Sequence, residues 1–150
     1  MKRFFGSPLL RLVREGVVLR RGEYQIISAM VAELPEHLRS IVVRQFSEYN
    51  LVRREADGRA LNFYKMGIFS AKPLQTQAAL HGKDGAAQLI NALALTPGQA
   101  EPLHATLNVI GGRVFCVSLS RPVPDSTDGQ AIKMTNFTHG WQENFPHADA

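Results

Sequence analysis

Helical periodicity early in the chain, followed by alternating runs that turn back on themselves, predicts an α+β fold: N-terminal helices packed on a mostly antiparallel sheet of about four to five strands. Three observations carry this. Apolar residues recur at helical spacing over residues 23–34 and again over 38–49. Strand-like runs flank Asp57 and Gly58, and again Gly111 and Gly112, as β-hairpins require. The helical runs also precede the strand runs instead of alternating with them, which separates α+β chains from parallel α/β ones.

The first helical signal is Ser7 followed by Pro8, a capping hydroxyl and then proline at the first helical position. Leu9, Leu12, Val13 and Val17 follow at helical spacing, although Gly16 weakens the run and residues 17–19 also suit a short strand. The next helix shows a stripe of Tyr24, Ile27, Met30, Val31 and Leu34, and Pro35 restarts the chain. A further stripe of Leu38, Ile41, Val42, Gln45, Phe46 and Tyr49 marks another helix, with Asn50 as its stop.

Pairing residues 51–55 with 60–66 across Asp57 and Gly58 sets Val52 against Phe63 and Arg54 against Leu61. Signals are weaker over residues 67–85. Pro73 breaks one apolar run, 74–80 suits a short helix, and 81–85 reads as a loop. Residues 86–96 fit either a helix or a strand. The following Pro97 and Gly98 favour a strand that turns into the next one.

Residues 103–121 form the clearest hairpin. A two-residue loop at Gly111 and Gly112 would place the apolar sets of the two arms on opposite faces. A three-residue loop unites them, pairing Val109 with Arg113, Leu107 with Phe115, Ala105 with Val117 and Leu103 with Leu119. The second register is therefore expected, with Val114 left as a misfit on the polar face.

Length and composition fit one domain. The reading takes residues 1–121 as a single α+β domain and 122–150 as a Pro- and polar-rich extension that Trp141 can dock. No apolar run reaches the ~20 residues of a membrane helix. The basic start resembles a secretory signal, but Pro8 and Arg11 interrupt its apolar region and no small-residue cleavage site follows. The single cysteine excludes an internal disulfide and a multi-cysteine metal site, and suggests a cytoplasmic location.

Charge is lopsided: residues 1–65 carry a net +5 and residues 66–150 a net −1. Basic surface can attract nucleic acid. Helices followed by a basic hairpin suit a winged-helix-like binder, with Arg39 and Arg44 on a helix and Arg53, Arg54 and Arg59 on the hairpin. Glu48, Glu55 and Asp57 dilute that field. A third reading is a small hydrolase-like enzyme. In the expected register Thr106 opposes Cys116 and His104 opposes Ser118, so a Cys116–His104 contact is conceivable across the strands. Neither arm carries the carboxylate that would orient the base, and no G-x-S-x-G pattern surrounds Ser118. The five histidines show no metal-ligand spacing, and neither glycine-containing loop has phosphate-loop spacing. The sequence thus points to a non-enzymatic binding or accessory module for another protein, with no cofactor, no metal and no membrane.

Overall fold

The computed structural model describes residues 19–66, 73–74, 79–82, 84–124 and 132–145. The helix expected from Ser7 lies outside them, as do residues 67–72 and 75–78. The two helical stripes become α1, Arg21–Ala32, and α2, Glu36–Glu48. At the start of α1, Glu23 accepts the N–H of Arg20 at 2.7 Å, satisfying a donor that the first turn leaves open. Pro35 separates the helices, and its carbonyl accepts the N–H of Arg39 at the start of α2. Beyond α2, Asn50 acts as a piece of strand. Its amide donates to the Met66 carbonyl at 2.9 Å and accepts the Met66 N–H at 2.8 Å.

The strands are β1 (Leu51–Arg54), β2 (Ala60–Met66), β3 (Pro73–Leu74), β4 (Ala86–Leu95), β5 (Leu103–Ile110), β6 (Arg113–Leu119) and β7 (Lys133–Thr138), and a short α3 (Trp141–Asn144) follows. The fold is α+β as expected. The main sheet has six strands in the order β1-β2-β6-β5-β4-β7, all antiparallel, against the four to five anticipated, and β3 pairs separately with β2. Leu74 thus sits in a strand pair and not in the short helix expected from residue 74. Residues 86–95 are a strand, and residues 133–138 add the edge beside them.

The first hairpin has the expected register, with Val52 opposite Phe63 and Arg54 opposite Leu61. The central hairpin corrects the expectation. Its turn is the two-residue one: Ile110 opposes Arg113, Val109 opposes Val114, and both glycines take positive φ. Positive φ at both central residues defines the tight turn that matches strand twist. A β-bulge then brings the apolar sets together. Phe115 is the extra residue, so Asn108 faces Cys116, Leu107 faces Val117 and Ala105 faces Leu119. The same bulge buries Val114, the supposed misfit, and leaves Phe115 only half-buried on the polar face.

Two further bulges follow the same logic. Leu89 is extra in β4 against β5, so Leu89 and Ile90 are both fully buried although they are adjacent. In β7 two residues, Asn136 and Phe137, oppose Ala92 of β4, and Asn136 takes the positive φ that asparagine tolerates.

Both helices cover one face of the sheet. Ile26, Ile27, Met30, Val42 and Phe46 meet Val52, Leu61, Phe63, Ile90, Leu107 and Val117 in one buried cluster. The rings of Phe46, Tyr49 and Phe63 pack together, with Phe46 edge-on to Phe63 at 5.1 Å. At the far end Phe145 is buried and fills the space beside Gly82, where a side chain on Gly82 would collide with it.

Candidate functional site

Among the described residues neither long helix covers the other face of the sheet, and its side chains are mostly uncharged and polar. On β5 this face carries His104, Thr106 and Asn108. On β4 it carries Gln88, Asn91 and Leu93, the shift from 88 to 91 being the work of the Leu89 bulge. The register sets them as cross-strand rungs: Gln88 with Asn108, Asn91 with Thr106, and Leu93 with His104. The rungs are tied laterally. Thr106 donates to Asn91 Oδ1 at 2.5 Å, Asn91 Nδ2 donates to Gln88 Oε1 at 3.2 Å, and Asn108 Nδ2 donates to Ser118 Oγ at 2.9 Å.

This face is hollowed rather than flat. A groove of about 580 Å³ is lined by the Gln88–Asn108 rung together with Phe115, Thr138, His139, Glu143 and Asn144. It shares Asn91 and Thr138 with a hollow of about 330 Å³ over the next rungs. That hollow shares His104 with a third, of about 430 Å³, beside Ser120 and Arg121. Together they form one trough along β4 and β5. Bulges contribute to its lining: Phe115 is turned onto this face by one, and Asn136 beside the second hollow lies in another. The wall is held by Asn144, which donates to the Gln88 carbonyl at 3.1 Å, and by His139, whose Nδ1 accepts from Trp141 Nε1 at 3.2 Å.

The basic residues picked from the sequence do not form one surface. Arg54 lies on the helix side and makes a two-pronged ion pair with Glu23, whose side chain is wholly buried. Arg39 pairs with Glu36 and donates to the Ala32 carbonyl at 3.3 Å. Arg44 is exposed on α2, whereas Arg53 is exposed on the open face, in line with Asn62 and Cys116. Arg59 is exposed at the turn between β1 and β2, its N–H held by Asp57 at 3.0 Å.

The expected Cys116–His104 neighbourhood is also corrected. With Phe115 bulged, Thr106 opposes Ser118 and Asn108 opposes Cys116. His104 lies across from Ser120, whose hydroxyl accepts the His104 N–H at 2.9 Å. Four strand residues, ~13 Å, separate that position from Cys116. The cysteine is 6% exposed. Burial pushes its thiol above the ordinary value, against weaker opposing effects of hydrogen bonds from Ser118, Leu61 and Asn108. Among the described residues no group of three or more His, Cys, Asp or Glu could hold a metal ion. Nor is any described helix long and apolar enough to cross a membrane.

Of the residues picked from the sequence, His104 and Thr106 line this trough; Gln88, Asn91, Phe115 and Asn144, which the sequence did not single out, line it as well. Alternation marked His104, Thr106 and Asn108; nothing local could assign Asn91 to their side, since a bulge sets its parity. What the fold and the site define is an α+β domain with one helix-covered face and one open, polar, troughed face. Comparison with known protein families, with curated proteins and with solved structures finds no match to this chain.

Proposed function

We propose that this chain is a non-enzymatic binding module for another protein, and that it reads its partner on the open face of the sheet. The observation that carries the reading is the trough itself. Its rungs are tied to one another before any ligand arrives, so little ordering would be lost on binding. Its chemistry is that of recognition. Amides and hydroxyls line it, while the one thiol on the face is buried, biased against its thiolate and far from His104. The single cysteine suits a reducing compartment, and the proposal places the module in the cytoplasm.

A photo-crosslinking residue placed at exposed Gln88 and, separately, at exposed Arg44 on α2 tests this in the native cell. The expected result is a crosslinked polypeptide from position 88 and none from 44. Crosslinks from position 44 alone, or from neither site, would remove the open face as the recognition surface.

A further inference from the structure

The trough's dimensions and donor set say more about what lies in it. We infer that the trough takes an extended, uncharged stretch of polypeptide with a basic residue at the Glu143 end. This inference rests on the protein-binding reading above and names the segment recognised.

Three observations point this way. The rungs recur every second residue along β5, at His104, Thr106 and Asn108. That spacing, ~6.6 Å, is also the repeat of backbone groups along one side of an extended chain. From His104 to Asn108 the trough spans ~13 Å, which an extended peptide covers with about five residues.

The side chains are also of the type that pairs with backbone. A carboxamide offers a donor and an acceptor side by side. Twice this fold uses both groups of one carboxamide on its own main chain. Asn50 pairs both ways with Met66, and Gln45 donates to the Gly112 carbonyl at 3.0 Å while accepting the Val114 N–H at 2.9 Å. In the trough Gln88 is exposed, and its Nε2 has no hydrogen-bond partner among the described residues.

Charge decides the remainder. Among the described residues no Lys or Arg lines the two hollows over the rungs. Arg121 lines only the third, beyond His104 and beside Glu101, and there donates to the Glu101 and Pro102 carbonyls. An acidic segment, a phosphate or a nucleic-acid backbone would lie over the rungs without a counter-charge. Glu143, exposed at the first groove, supplies a partner for one cation. Phe115 lines the same groove and provides an apolar surface for a neighbouring side chain.

The test pans a phage-displayed library of random dodecapeptides against the immobilised full chain, and measures the enriched peptides by fluorescence anisotropy. Expected are peptides with a Lys or Arg flanking an uncharged run. Their affinity should fall at least tenfold in Gln88→Met, which keeps the side-chain length but loses the free amide donor, and in Glu143→Lys. It should be unchanged in Ser47→Ala on α2. Thermal melts of each variant separate lost binding from lost folding. Failure to enrich any peptide, or enriched peptides indifferent to both trough variants, overturns the inference. So does Gln88-dependent binding of a neutral glycan on an array, or concentration-dependent dimerisation that masks the trough. A partner crosslinked at position 88 in the cell, combined with any of these failures, would leave the open-face reading standing and remove only the extended peptide.

Discussion

Cys116 shows how strongly a single residue depends on its register. Two positions of register separate a cysteine opposite Thr106 from one opposite Asn108: the two-residue turn supplies one and the Phe115 bulge the other. The thiol is left in a nearly closed site where loss of solvation outweighs the hydrogen bonds that would favour its thiolate. The sign follows: a raised pKa means less thiolate at neutral pH than a free cysteine has, and thiolate is the reacting form. Labelling of the folded protein with iodoacetamide is therefore expected to be slow near neutral pH and to accelerate only above the ordinary thiol range. His104→Ala is expected to leave the rate unchanged. Fast neutral labelling that slows in His104→Ala would restore a Cys–His pair.

Among elements, the contact between α2 and the central hairpin repays attention because it is made by polar groups at the centre of the fold. The strand β2 pairs with β6 only at residues 116–118, so the backbone of Val114 has β5 on one side and no strand partner on the β2 side. Side chains of α2 stand in for it. Gln45, fully buried, accepts the Val114 N–H, and the Tyr49 hydroxyl donates to the Val114 carbonyl. Burial raises the Tyr49 pKa, which keeps that hydroxyl protonated as a donor. Gln45→Leu leaves the Val114 N–H without this acceptor, whereas the Gly112 carbonyl keeps the N–H of Leu80 at 2.8 Å. The expected loss is about 1–3 kcal/mol in urea melts, the cost of one unsatisfied buried group. Exposed Ser47→Ala should stay within about 0.5 kcal/mol of the parent. Equal stabilities would mean that α2 docks through its apolar stripe alone. That stripe was legible from spacing, and Gln45 stood in it. What spacing could not reveal was which backbone the amide would meet.

At the scale of the whole molecule, the segment after Pro122 and Pro124 is joined to the rest by the sheet. β7 pairs with β4, Ile132 donates its N–H to the Gln25 amide on α1 at 3.3 Å, and Phe145 is buried against Gly82. These contacts predict one cooperative unit. Phe145→Ala should cost about 3–5 kcal/mol, as emptying a buried aromatic site does. Unfolding should remain a single transition by circular dichroism and by Trp141 fluorescence alike. A separate, earlier fluorescence transition would mark residues 132–145 as an appendage.

The sequence by itself determined the class of fold, the two helical stripes, the positions of both hairpin turns and the register of the first hairpin. These rest on local signals: periodicity, and glycines where the backbone must turn with positive φ. Tertiary structure alone decided the register of the central hairpin, the pairing of Glu23 with Arg54 and the assembly of the trough. Each depends on one residue more or less in a strand, at Leu89, Phe115 and Asn136, or on groups distant in sequence. A bulge reverses the in–out parity of everything beyond it. Whether it forms is settled by which side chains fill the core across the strands, and no local pattern records that sum.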